Sequence, residues 1–265
     1  MGDGAMRMDC LAVLDFLFEM AVVFSRRDCG FILAGVRPVP SELNTGRLMR
    51  QWERQGLIER ATEGTEPKFR LSVEAERRLA QRVPSGHWDR PWEGKWWIVS
   101  YDLPEAQRPQ RAVLWRALRE RKLGLLQRSV WVWPHPVEPI LRELVQSEGM
   151  PECFIGFEAQ RVCWCTNAEV VRTAWDQEEI GRRHRAYLQH AATEAKRYLE
   201  APTPAALAAL ARREWEAYHY AFSLDPLLPR ALAAKAYRGY EVEARHRQCR
   251  NAWRQRLAAL TRRVR

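Results

Sequence analysis

The chain has 265 residues, of which 46% are hydrophobic, and its 43 lysines and arginines outnumber its 33 aspartates and glutamates. This apolar content, with 12 tryptophans, is enough to build hydrophobic cores and excludes an intrinsically disordered protein. The chain is longer than most single domains, so we expect two or three. A net charge of +10 favours a polyanionic partner, nucleic acid first and an anionic membrane second.

Six cysteines are spread along the chain, and no CxxC pair or His–Cys cluster has the spacing that zinc requires. On a strand, Cys163 and Cys165 would have Cα atoms about 7 Å apart, which is too far for an easy disulfide. We therefore expect buried, reduced thiols in a cytoplasmic protein. The sequence has no Walker loop, GxGxxG motif or recognisable Ser-His-Asp spacing, and we expect no cofactor.

The first element is an apolar run, "LAVLDFLFEMAVVF", over residues 11–24. Asp15 and Glu19 interrupt this run at i,i+4, and it is too short to span a membrane. No small-residue cleavage site follows, so a signal peptide is not expected either. The pattern predicts a buried helix whose two carboxylates face water.

The rest of the first region, to residue 83, predicts two more helices, a β-hairpin and a closing helix. The helices cover residues 29–35 and residues 41–55, the latter with Ser41 as its N-cap. Two short strands follow around a turn at Gly64, and "VEAERRLAQR" predicts the last helix. Helix–helix–helix–strand–turn–strand is the plan of a winged helix-turn-helix domain.

The third helix has two chemically different faces. At about 100° per residue, Thr45, Leu48, Met49 and Trp52 share one arc. The opposite arc carries the residue types that bond to phosphates and base edges in a major groove. These candidate DNA contacts are Asn44, Arg47, Arg50, Gln51 and Arg54, and Lys68 and Arg70 would act at the wing. The alternative is an ordinary solvated helix with a basic face, and Glu63 and Glu66 at the hairpin tip would repel phosphate.

The segment of residues 83–94, "VPSGHWDRPWEG", has no periodicity and predicts a linker between domains. A second domain, residues 95–167, then alternates strands and helices. The pattern predicts a strand at "KWWIVSY" and a helix at residues 107–122. It then predicts one strand or a tight pair of strands at "LGLLQRSVWVWP" and a helix at residues 137–147. "CFIGFE" and "RVCWC" predict short final strands, so the order fits a ferredoxin-like βαββαβ domain.

Residues 168–265 are rich in Ala, Leu, Arg and Glu and predict a helical C-terminal domain. Two proline-containing segments, "APTP" and "LDPLLP", interrupt the helices. The predicted fold is therefore α+β and multidomain, with domains at 1–83, 95–167 and 168–265.

Taken together, these regions resemble the PaaX-type family of bacterial transcription repressors of phenylacetate catabolism. The resemblance lies in "WWIVSYDLPEAQRPQRAVLWRALRERKLGLLQRSVWVWP" of the middle region, and in "TAWDQEEIGRRHRAYL" and "YHYAFSLDPLLPRAL" of the C-terminal region. It implies a winged helix, a ferredoxin-like domain and a helical domain, in a homodimeric repressor that an aromatic acyl-CoA releases from double-stranded DNA. The sequence departs from the family pattern at the acidic wing tip, at Ala233-Ala234 and at Tyr237, where we expect tryptophan.

An acyl-CoA needs cations for its phosphates and an apolar slot for its acyl end. "GRRHRAYL" offers Arg182, Arg183 and Arg185, and aromatic residues 215–222 offer the slot. The alternative is that the arginines are solvated and the aromatic residues pack helices together.

The middle region also resembles the small CRISPR-associated ferredoxin-like nucleases, in which an Asp after the first strand has been proposed to hold a metal ion. That resemblance implies Asp102 as the metal ligand and catalytic residue, beside Tyr101. Glu105 is the nearest further carboxylate, whereas metal-assisted hydrolysis needs several oxygen ligands. Asp102 equally suits a turn, with Pro104 in the first turn of the next helix. A third class is an architectural protein that binds DNA without reading its sequence.

Overall fold

The computed structural model describes residues 10–21, 24–35, 45–61, 67–80, 84–104, 107–148 and 154–262. The chain divides into two compact units. The first combines Met1–Val83 with His184–Ala221 and Gly239–Arg265, and the second combines Pro84–Arg183 with Phe222–Arg238. Across the described residues, every helix is too short or too polar to cross a bilayer.

The N-terminal part of the first unit has the predicted order of helices and strands, with one strand in addition. Its elements are α1 Cys10–Met20, β1 Phe24–Ser25, α2 Arg26–Gly35, α3 Thr45–Arg54, β2 Ile58–Ala61, β3 Lys68–Leu71 and α4 Val73–Ala80. The strands form an antiparallel sheet in the order β1-β3-β2. The apolar run therefore contains a helix and then a strand, because Phe24 pairs with Phe69 and stacks on its ring.

The change from strand to helix at Ser25 has a local cause. The Ser25 amide donates to the Asp28 carboxylate at 2.9 Å, and the Asp28 amide donates to the Ser25 hydroxyl at 3.1 Å. This reciprocal pair satisfies two amides at the start of α2 in the manner of a capping box. The helix consequently begins at Arg26, three residues before the predicted start.

The predicted exposure of Asp15 and Glu19 is wrong. Their side chains are only 14% and 17% exposed, and both face side chains from the C-terminal part of the chain. Asp15 lies 3.6 Å from His219, and Glu19 contacts His246 and Arg250. Arg254 also donates to the backbone carbonyls of α1 at 2.7 and 3.0 Å. The polar stripe of α1 is thus largely covered, and Glu19 faces the cationic His246 and Arg250.

The C-terminal part of the chain forms four α-helices in the described residues. Its helices are α8 Asn167–Ala174, α9 Gln177–Glu200, α10 Pro204–Phe222 and α11 Gly239–Arg262, with a short 3-10 turn at Arg230–Leu232. Thr166 and Glu169 form a complete capping box at the start of α8. The two predicted proline-containing segments separate α9 from α10 and α10 from α11.

The second unit contains the predicted βαββαβ arrangement. Its elements are α5 Pro84–Trp88, β4 Trp96–Tyr101, α6 Arg108–Glu120, β5 Gly124–Gln127, β6 Val130–Trp133, α7 Glu138–Glu148 and β7 Phe154–Ala159. The sheet order β5-β6-β4-β7 is fully antiparallel, so the first and third strands lie in the centre, as in a ferredoxin-like sheet.

Two local expectations in this unit are wrong, and the segment expected to be a linker contains a helix. The expected linker contains α5, whose Trp88 is buried and donates from its indole to the Tyr237 hydroxyl at 3.0 Å. "RVCWC" is not a strand, because Trp164 has a left-handed φ of 63° and is fully exposed. Cys163 and Cys165 are consequently exposed as well, whereas Cys29 and Cys249 are buried free thiols as expected.

The core of the second unit is rich in tryptophan and is completed by α8. Trp96 and Trp131 are fully buried, as are Leu114 and Leu118 of α6. Gly124 of β5 meets α8 so closely that an added Cβ would lie 2.6 Å from Ala174 and 2.7 Å from the Trp175 ring. Only glycine allows this contact between strand and helix.

Candidate nucleic-acid interface

Helix α3 has the two faces that its periodicity predicts. Leu48, Met49 and Trp52 are buried, whereas Arg47 and Arg50 are exposed. The apolar side packs against α2 and β2 and fixes the helix on the unit. The arginine side remains available to solvent, which is the arrangement that a groove-binding helix needs.

Three of the predicted contact residues, Arg47, Arg50 and Arg54, lie on this exposed side. Arg54 is exposed, with its Nε donating to the Arg50 carbonyl at 3.3 Å, and Gln51 is half-buried. Asn44 and the predicted N-cap Ser41 lie outside the described residues, as do Glu63, Gly64 and Glu66 of the hairpin tip. Within the described residues, Arg47 and Arg50 have no carboxylate partner, so their charge is uncompensated.

The end of α3 connects rigidly to the hairpin. Gly56 adopts a φ of 64°. Its amide donates to the backbone carbonyl of Glu53 at 3.1 Å, and the Leu57 amide donates to the backbone carbonyl of Trp52 at 2.9 Å. This pair of bonds is a Schellman motif, and it turns the chain directly from the helix into β2. The Ser72 hydroxyl then donates to the Gly56 carbonyl at 2.5 Å. Because both ends of the hairpin are tied to the end of α3, helix and hairpin form one rigid surface.

The predicted wing residues differ in how much charge they can offer. The Arg70 guanidinium donates to the Glu59 carboxylate at 2.7 Å across the hairpin, and Arg60 is similarly paired with Glu53 at 3.0 Å. Lys68, at the start of β3, is half-buried. The strongest uncompensated positive charge therefore lies on α3 rather than on the strands.

A buried polar cluster anchors α1, on which α2 packs in turn. The His246 ring of α11 lies between Glu19 of α1, at 3.6 Å, and Glu214 of α10, at 3.1 Å. Burial opposes the charged ring, but its hydrogen bonds to the two carboxylates prevail and raise the pKa of His246 to about 9. The Tyr187 hydroxyl also donates to Glu214. The N-terminal helices thus rest on a charged, internally satisfied contact.

Two of the three candidate ligand arginines are already paired. Arg182 and Arg183 both donate to the Glu179 carboxylate, at 2.6 and 2.7 Å, and Arg183 also donates to the Ser223 hydroxyl at 2.5 Å. The hydrogen bond from Arg182, together with the somewhat weaker effect of the bond from Arg183, lowers the pKa of the Glu179 carboxyl to about 2. Arg185 is exposed. An anionic ligand would have to compete with Glu179 for the first two residues.

The rival metal site depends on Asp102, which is exposed just after β4. Glu105 lies outside the described residues, and among those described no group of three or more His, Cys, Asp or Glu side chains could hold a metal ion. The following helix begins at Arg108, so Pro109, not Pro104, occupies its first turn.

Comparison with known families decides what the central segment is. Residues 89–171 match the family described as "PaaX protein central Cas2-like domain". The central segment is a PaaX-type, Cas2-like domain. This confirms the resemblance predicted from the sequence, for both the PaaX family and the CRISPR-associated fold.

The solved structure of uncharacterized protein Rv0674 from Mycobacterium tuberculosis is similar over nearly the whole length. The similarity covers 89% of this chain and 99% of that one, with a TM-score of 0.56 and 18% sequence identity. At this identity the similarity is one of fold. No curated protein sequence matches the chain.

Proposed function

We propose that the chain is a DNA-binding transcriptional regulator of the PaaX type, acting as a homodimeric repressor. The observation that carries the proposal is the exposed arginine face of α3, held rigidly beside an antiparallel hairpin in the manner of a winged helix-turn-helix. The match of residues 89–171 to the PaaX central domain supports the same function.

In the proposed complex, α3 enters the major groove. Arg47 and Arg50 would bond guanine edges or phosphates, and Gln51 an adenine edge, as their donor and acceptor groups allow. Asn44 and Arg54 would extend this interface along the groove. Lys68 and Arg70 would reach the backbone from the hairpin, with Arg70 already oriented by Glu59.

The test starts with a duplex selected from a random-sequence pool by the wild-type protein. The variant Arg47→Gln/Arg50→Gln is compared with Arg77→Gln/Arg172→Gln, which removes two exposed arginines elsewhere. For each phosphate that the α3 variant no longer neutralises, the negative slope of log K against log salt should become shallower by about 0.9. Removing the hydrogen bonds to one base should cost about 1–3 kcal/mol and relax sequence preference at that position.

Equal titration curves for the two double variants would remove α3 from the interface. Equal affinity of the wild type for the selected duplex and a scrambled one would favour the architectural function instead. Light scattering of the protein alone and on the duplex tests the homodimer.

For the effector we propose an acyl-CoA thioester, with Arg182, Arg183 and Arg185 as candidate ligand-binding residues. The prediction is that an aromatic acyl-CoA weakens binding to the duplex and that Arg185→Gln reduces the effect. A panel of CoA thioesters that leaves duplex affinity unchanged would refute this part, without affecting the evidence from α3.

A further inference from the structure

An open groove of about 800 Å³ runs along the PaaX-type domain between α6 and the β5–β6 hairpin. One stripe of α6 forms its first wall, because Arg108, Arg111, Ala112, Trp115 and Arg116 follow the i, i+3, i+4, i+7, i+8 spacing of a single helix face. Arg128 at the turn of the hairpin faces them, so both walls carry cations, and none of the described residues that line the groove is acidic.

Three of the arginines in this groove are available for an anion. Arg108, Arg116 and Arg128 are exposed, and none of them pairs with a carboxylate among the residues that the structure describes. Arg111 is different, because its guanidinium donates to the Leu103 carbonyl and so ties the start of α6 to the end of β4. Uncompensated guanidinium groups on facing walls are suited to phosphate, which they bind through charge-assisted, often bidentate, hydrogen bonds.

Trp115 gives the same groove an aromatic surface. Its side chain is 42% exposed, although the ring is held at one edge by Trp131, with centroids 6.3 Å apart. Arg119 lies 5.2 Å from the ring centroid and further restricts it. A fixed, partly exposed indole beside free cations offers stacking for a planar base, and the small side chain of Ala112 keeps the groove open next to it.

We propose that this groove binds a small nucleotide, with its base on Trp115 and its phosphates on Arg108, Arg116 and Arg128. A groove of this size is in the range of small-molecule sites. The chemistry is that of a base joined to two or more phosphates, such as the nucleotide end of a CoA thioester or a free nucleotide. The lining residues include neither the α3 arginines nor Arg182, Arg183 and Arg185.

The probe is adenosine 3′,5′-bisphosphate, titrated calorimetrically into the full-length protein, with adenosine and inorganic phosphate as partial ligands. We expect the bisphosphate to bind more tightly than either part. Trp115→Ala and Arg128→Gln should each weaken binding about tenfold, corresponding to ~1.4 kcal/mol. Arg161→Gln removes an exposed arginine of the same domain outside the groove and should leave binding unchanged.

Arg128→Gln lies in an exposed turn and tests the site even if Trp115→Ala fails to fold. No heat with the bisphosphate, or equal binding by the groove variants and Arg161→Gln, would overturn the proposal. Phosphate binding as tightly as the bisphosphate would exclude Trp115 as the base platform. If the bisphosphate does not bind but Arg128→Gln weakens duplex binding, Arg128 is a DNA-binding residue and the groove is not a nucleotide site.

The outcome can be separated from that of the proposed function. Duplex affinity of the groove variants without ligand should equal that of the wild type, because α3 is unchanged. A CoA thioester that releases the wild type but not Arg128→Gln would join the two proposals. Nucleotide binding with no effect on duplex affinity would support the groove while refuting the effector.

Discussion

The buried position of His246 predicts a pH dependence of stability that can be calculated from its environment. The pKa rises from an ordinary value of about 6.5 in the unfolded chain to about 9 in the fold, because bonds to Glu19 and Glu214 outweigh burial. At about 1.4 kcal/mol per pKa unit, the charged ring contributes about 3 kcal/mol. Since the folded pKa is the higher one, this contribution is complete below pH 6.5 and is lost as the pH rises through 9.

The assay is urea unfolding by circular dichroism at several pH values between 6 and 9, for the wild type and for His246→Gln. The wild type should lose about 3 kcal/mol across this window, whereas the variant should change by less than about 1 kcal/mol. Tyr187 and Tyr218, whose pKa values burial raises, keep their protons throughout this window. Parallel stability profiles for the two proteins would refute a charged His246 in the native state.

Three further predictions concern the hairpin, the central sheet and the rival site. Gly56→Ala should cost about 1 kcal/mol of unfolding free energy, because its φ of 64° disfavours a Cβ. The control Gly30→Ala within α2 should be neutral or stabilising, and equal effects of the two substitutions in urea unfolding would contradict this. Gly124→Ala should destabilise by about 3 kcal/mol or fail to fold, because its Cβ would overlap α8, whereas Gly86→Ala has open space and should have little effect. Asp102→Ala should leave duplex binding unchanged, and nucleic-acid cleavage with Mg²⁺ or Mn²⁺ that this substitution abolishes would favour the nuclease.

The local amphipathic pattern was enough to predict α3. Its buried and exposed faces follow from a 3.6-residue period, and Trp52 and Arg50 lie where that period puts them. The βαββαβ order was likewise legible, because strands β4 to β7 and their helices are separated by clear turns. In both cases the determining signal lies within the segment itself.

The failures have a common physical reason, which is that the deciding partner lies far along the chain. Asp15 and Glu19 follow a pattern typical of exposed residues. The side chains that cover them, His219 and His246, lie more than 200 positions further along the chain. "RVCWC" alternates like a strand, but it joins neither of the described sheets, and Trp164 within it adopts a left-handed φ. The groove along α6 could not be predicted because Arg128 joins it from the hairpin. The hydrophobic periodicity of a segment predicts a single helix or strand, whereas the exposure and charge pairing of its side chains depend on what packs against that element.

The three-segment construction of the first unit has a consequence for biosynthesis. Helix α1 is made well before α11, yet Arg250, Arg254 and His246, which satisfy its polar groups, belong to α11. During translation α1 therefore presents an apolar face and two uncompensated carboxylates until α11 has been synthesised. A fragment that ends at residue 83 would remain permanently in that state. We expect such a fragment to depend on chaperones or to aggregate, and adding residues 184–265 in trans to restore a soluble N-terminal region.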